Sequence, residues 1–188
     1  MSRLSREDWA RAALTAIAEG GVSAVSVERL AARLGATKGS FYWHFSAREE
    51  LVAAALELWE QRSTTEVILD MEAGGGSPQE RLRRLFGRVF EAQTLTGVDV
   101  SLLSHSDEPA IAEVLFRVTE TRLDYITRLL RGCGLTPAAA RRRAVFAYSA
   151  FIGHLHLGRG TPELLTRNVG SIPRYADELI DTLVAPTR

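Results

Sequence analysis

The stretch "VERLAARLGATKGSFYWHF", residues 27–45, places Phe41, Tyr42, Trp43, His44 and Phe45 in succession behind the only lysine of the chain, Lys38. A helix that packs on a core spaces its rings three or four apart, so that each points inward. Rings in an unbroken run must point in several directions. Phe41 and Phe45, four apart, share one face and join Leu30, Ala31 and Leu34 as inner positions, which leaves Tyr42, Trp43 and His44 outside. Gly35 marks a tight turn between a helix of about two turns and a shorter one opening at Thr37. Residues 27–46 therefore read as a helix-turn-helix whose second helix can enter a DNA major groove.

The outward groups have chemistry suited to a duplex. Tyr42 and His44 offer donors to phosphate oxygens, and the leading end of the short helix, residues 37–40, adds backbone N–H groups. Thr37, Lys38 and Ser40 stand where side chains reach base edges or phosphates. Gly39 costs a helix about 1 kcal/mol relative to alanine, which makes sense where backbone must come close to a partner. Trp43 suits a sugar or a thymine methyl. The competing reading of "FYWHF" is an aromatic knot that closes a small core. Between Arg33 and Arg48 the sequence holds three positive charges and no acid, while the full chain of 188 residues carries 23 basic and 23 acidic residues. Binding charge must be local, and three charges bind weakly at physiological salt, so two modules acting as a dimer are expected.

Working outward, period-two strand patterns are nearly absent and helical spacing recurs throughout, so the chain is expected to be all-α. A first helix opens at a capping box of Ser5 and Asp8 and stops at Gly20 and Gly21. Ser26 caps the second, with Val25 and Leu30 as a hydrophobic staple. Ser46 and Glu49 suggest a further capping box for a fourth helix running towards Met71. The glycines of "EAGGGSPQE" break the composition, and Ser77, Pro78 and Glu80 begin the next helix. Residues 98–105 are ambiguous, 107–131 form a long helix, and Thr136–Pro137 and Thr161–Pro162 start two more. The helix from 137 to 158 is apolar nearly all round and needs neighbours on every side; Ala150 and Gly153 permit close approach of another helix. A last helix carries Tyr175, Ala176, Leu179, Ile180 and Leu183.

Several classes lack their residues. No apolar run is long enough to span a membrane and the N-terminus lacks a signal-peptide pattern, so a cytoplasmic protein is expected. The lone Cys133 excludes an internal disulfide and a cysteine-based zinc site. His154 and His156, two apart on a helix, diverge and cannot share a metal. There is no H-E-x-x-H, phosphate-cradling GxxxxGK or dinucleotide fingerprint, so neither a metal nor a cofactor is expected. A small all-helical enzyme lacks a nucleophile, base and orienter set. A helical adaptor that binds only protein gives Lys38 and Tyr42 no special purpose.

The segment "ALTAIAEGGVSAVSVERLAARLGATKGSFYWHFSAREEL", residues 13–51, with its "LG" turn, T-K-G-x-x-Y-x-H-F string and S-x-x-E-L continuation, resembles the TetR family of transcriptional regulators. The resemblance implies an N-terminal helix-turn-helix domain over 1–50 and a C-terminal helical bundle over 51–188 that binds a small-molecule effector and pairs two subunits on a double-stranded operator. It implies DNA contacts from Ser26, Thr37, Lys38, Ser40, Tyr42, Trp43, His44 and Arg48, and the close backbone approach at Gly39 adds that residue to the set. Val27 and Glu28 depart from the basic or polar residues common early in the family's second helix, which leaves base contacts from that helix open. Phe86, Phe90, His105, Phe116, Tyr125, Phe151 and His154 are candidates to line the effector pocket; the competing reading makes the rings ordinary core and the histidines satisfied interior polar groups.

Overall fold

A computed structural model describes residues 4–185 with the exception of Ala92, and for 93–97 the backbone alone. The described residues are helical, with no strand among them: α1 (Arg6–Gly20), a 3₁₀ turn (Val22–Ala24), α2 (Val27–Arg33), α3 (Lys38–Phe41), α4 (Arg48–Glu60), a π-helical segment (Gln61–Thr65), α5 (Glu66–Ala73), α6 (Pro78–Glu91), α7 (Gln93–Ser104), α8 (Pro109–Gly132), α9 (Pro137–Gly160), α10 (Pro162–Val169) and α11 (Ile172–Val184). The ambiguous segment at 98–105 is therefore helical up to Ser104.

Most helix starts follow the expected chemistry. Ser5 and Asp8 form the reciprocal capping box of α1, Ser77 and Glu80 that of α6, and Thr136 caps α9. Two differ. Ser46 turns its hydroxyl and its amide to Glu50, at 2.9 and 2.8 Å, and not to Glu49. The helix begins one residue later than the sequence pattern suggests, with Ala47 at its N-cap. Thr161 donates its hydroxyl back to the Leu157 carbonyl and gives α10 no side-chain cap.

The chain divides into two compact units: residues 1–63 with 97–116, and 64–96 with 117–188. In the first, α1 packs on α4, burying Trp9, Ala13, Leu14 and Ile17 with Leu51, Ala55 and Trp59. Two polar contacts tie α7 into this unit. Ser101 donates to the Ile17 carbonyl at 2.8 Å, and the Trp59 indole N–H donates to buried Asp99 at 3.3 Å. Gly21, at φ 70°, ends α1 directly under the His105 ring, which lies 2.5 Å from where a Cβ would stand. Only glycine fits there, for both backbone and space. In the second unit, α6, α9 and α11 enclose a core that includes Leu82, Phe86, Phe90, Tyr125, Ile126, Leu130, Ala144 and Ile180.

Candidate nucleic-acid interface

The helix-turn-helix is locked from beneath. Beyond α2 the Ala36 amide donates to the Ala31 carbonyl at 2.8 Å and the Gly35 amide to that of Ala32 at 3.2 Å, with Gly35 at φ 62°. This is the Schellman stop, which needs a left-handed residue at that position. Thr37 then caps α3 by accepting the Ser40 amide at 3.2 Å. Phe41 and Phe45 are both 1% exposed. Trp9 meets Phe41 edge-on at 5.6 Å, and the Arg6 guanidinium covers the Phe45 ring at 4.6 Å. α3 is only four residues long, too short to hold itself together, so these buried rings fix it.

The same anchoring throws the neighbouring side chains outward. Tyr42 is 58% and Trp43 79% exposed; Thr37, Lys38 and Gly39 are exposed, and Ser40 and His44 half-buried. Ser26 caps α2 by accepting the Arg29 amide and lies with Lys38 and Tyr42 on an open concavity of about 500 Å3. Of the expected contact residues, Ser26, Lys38, Tyr42 and Arg48 line this concavity together, while Thr37, Gly39 and Trp43 are exposed close by in sequence. Arg48 also bonds within the protein. Its Nε donates to the Val25 carbonyl at 2.8 Å and its Nη2 to that of Val22, pinning the 3₁₀ turn between α1 and α2. Its side chain stays 36% exposed at the rim of the concavity.

The local charge also changes once the chain is folded. Glu19 pairs with Arg33 at 2.9 Å and Glu28 with Lys38 at 2.6 Å. Sequence counting over 33–48 missed both acids because they arrive from α1 and α2. The face is thus richer in hydrogen-bonding groups than in net positive charge.

The expected pocket residues fall into separate places. Phe86, Phe90, Tyr125, Phe151 and His154 belong to the second unit. Phe90 meets Phe86 at 5.6 Å, the His154 ring at 4.4 Å and Tyr175 at 5.0 Å. Tyr175 joins from α11, where its spacing marks only an apolar stripe and nothing signals a ring cluster with α6 and α9. The His154 Nε2 lies 3.1 Å from the Phe90 carbonyl, and its buried Nδ1 has no partner. Burial holds this imidazole below its ordinary pKa, while burial and the neighbouring Glu72 push the Tyr125 hydroxyl up to about 12. His105 and Phe116 do not join the cluster. His105 sits on Gly21 in the first unit, its Nδ1 2.8 Å from the Ser101 carbonyl. Phe116 is 71% exposed, because Ile111, Val114 and Val118 form the buried face of that part of α8 and residue 116 projects away from it.

Residues 10–55 match the profile of the bacterial regulatory proteins of the tetR family. The N-terminal segment is thus similar to the DNA-binding region of that family. The chain is similar to the HTH-type transcriptional regulator YerO of Bacillus subtilis, 28% identical over 87 residues, or 46% of this chain and 30% of that protein. It also resembles the HTH-type transcriptional regulator SrpR of Pseudomonas putida, 27% identical over 133 residues, or 64% and 56%. The chain thus spans 30% and 56% of the length of these relatives. Among solved structures, SmeT, the repressor of the Stenotrophomonas maltophilia multidrug efflux pump SmeDEF, superposes with a TM-score of 0.70 at 24% identity, covering 97% of this chain and 89% of SmeT. A SmeT–triclosan complex gives 0.73 at 22% identity, with 95% and 89% covered. These likenesses agree in fold with the helical architecture of this chain.

Proposed function

We propose that this chain is a DNA-binding transcriptional regulator, a ligand-responsive repressor that acts in the cytoplasm as a homodimer on a palindromic operator. The observation that carries the reading is the division of the "FYWHF" run: Phe41 and Phe45 are buried while Tyr42 and Trp43 stand 58% and 79% exposed beside Thr37 and Lys38. Tyr42 meets the buried Phe41 ring edge-on at 5.1 Å, yet large rings left this exposed cost solubility; on a duplex they reach phosphate, sugar and thymine methyl. Two recognition surfaces on successive turns of DNA supply the affinity that one weakly charged module lacks.

A second copy is supported by α9. Phe146, Ala150, Gly153 and Leu157 fall on one helical face, Phe146 is 68% and Leu157 45% exposed, and nothing lies within 4 Å of where a Gly153 Cβ would stand. Such a face suits close helix pairing between two subunits. An effector site is supported by the Phe90, His154 and Tyr175 rings and the unpartnered His154 Nδ1, which offers a hydrogen-bond acceptor among apolar surfaces. SmeT, which shares this fold, forms a complex with triclosan. No described helix is long and apolar enough to cross a membrane. Effector binding favours a state with its two recognition helices wrongly spaced for successive grooves, releasing the operator through differential affinity.

The test is affinity for random-sequence and selected duplexes across a salt series, with wild-type chain and Tyr42→Ala. A steep fall in affinity with salt, weaker binding by the variant and unchanged helix content support the reading. Absence of duplex binding at low salt overturns it.

A further inference from the structure

Glu28 and Lys38 stand ten positions apart in sequence, yet Lys38 Nζ donates to Glu28 Oε1 at 2.6 Å. Both side chains are more than half exposed, at 64% and 55%, and both border the open concavity they share with Ser26 and Tyr42. An acid on a face that meets phosphates lowers affinity for every duplex, whatever its sequence. A lysine alone would bind more tightly. The presence of Glu28 therefore calls for a return in selectivity.

The pairing supplies one. The hydrogen bond between them holds the Glu28 carboxyl below its usual pKa range and the Lys38 ammonium above its own, so both stay charged at neutral pH. A donor-only ammonium thus sits beside an acceptor-only carboxylate. Glu28 Oε2 accepts a long 3.4 Å bond from the Ser26 hydroxyl, and the side chain, 64% exposed, stays open to a further donor. In the major groove the matching surface is an acceptor beside a donor. Guanine presents N7 and O6 acceptors, and its paired cytosine presents the N4 amino donor next to O6. An A·T pair also sets adenine N6 beside thymine O4, but there the thymine methyl crowds the ammonium and the single O4 replaces two acceptors.

We propose that Lys38 and Glu28 together read one G·C base pair in each half-site, Lys38 at guanine N7 and O6 and Glu28 at cytosine N4. This rests on the DNA-binding reading above and goes beyond it by naming a specificity-determining acid in α2, where the family pattern left base contacts open. If Glu28 served only to hold Lys38 against the protein, its removal would change affinity for all sequences alike.

The experiment uses the full chain as wild type, Glu28→Ala, Glu28→Gln and Lys38→Ala. Each is put through selection from random duplexes, followed by dissociation constants on a panel with every half-site position changed symmetrically. The wild type is expected to require G·C at one position per half-site, with about tenfold or greater loss on replacement. Glu28→Ala is expected to lose about tenfold of that discrimination while binding unrelated DNA at least as tightly. Glu28→Gln is expected to swing the position towards A·T, since an amide pairs with adenine N6 and N7. Equal changes at every position, or no position requiring G·C, overturn the proposal while leaving DNA binding intact. A wild type that selects no consensus overturns the DNA-binding reading and this proposal together.

Discussion

The Phe41 and Phe45 rings stack 5.5 Å apart with 19° between their planes, and this pair makes a four-residue helix a fixed platform. Phe41→Ala is expected to cost about 3–5 kcal/mol of stability, because it also strips the edge contact from Trp9. Trp43→Ala, two positions on and exposed, is expected to stay within about 0.5 kcal/mol while weakening DNA binding. Urea unfolding of both variants checks the contrast; equal destabilisation would mean that the whole run is core.

Arg48 separates structure from binding in another way. Its planar fork serves two carbonyls, Val25 and Val22, and lysine, a point charge, cannot hold both. Arg48→Lys keeps the charge and is expected to lose about 1–2 kcal/mol of stability, read as a lower midpoint in urea. Unchanged stability with weakened operator binding would make Arg48 a phosphate contact after all.

His154 gives the second unit a pH dependence with a definite sign. Its folded pKa lies below the ordinary 6.5, chiefly because burial disfavours the charged ring. Below pH 6.5 the unfolded chain takes up a proton that the folded chain resists, so stability is present above that value and declines as pH falls through the window beneath it. His154→Gln is expected to remove this step from a plot of unfolding midpoint against pH. A variant curve that keeps the step would locate it elsewhere.

Phe146 tests the pairing of subunits. At 68% exposure it contributes little to its own protomer, and a charge there disfavours an apolar helix pair. Phe146→Glu is expected to sediment as a monomer with unchanged helix content and at least tenfold weaker operator affinity. A variant that remains dimeric would exclude this face of α9.

Local chemistry was legible in the sequence where the signal is local. Ser5, Ser26, Thr37, Ser77 and Thr136 each cap the helix they precede, since a cap depends only on a few following residues. The inner placement of Phe41 and Phe45 followed from their spacing. What depends on long-range packing was hidden. Ser46 has Glu49 and Glu50 to choose from, and Glu50 is the one also held by Arg6 at 2.9 Å. The π-helical turn at 61–65 contains buried Thr64, which accepts from Arg122 at 2.9 Å, a contact 58 residues distant. His105 read as a pocket histidine because its partner, Gly21, lies in α1's cap and carries no side chain to advertise it. The acids that neutralise Arg33 and Lys38 were equally invisible to a count along the chain.

The central claim, that the outward face of 37–44 lies against DNA, is tested most directly by backbone hydrogen exchange of the full chain with and without a selected duplex. Slowed exchange concentrated in residues 37–44 and the start of α2 is predicted. A bound complex in which exchange across 37–44 is unchanged, with protection elsewhere, would contradict the account.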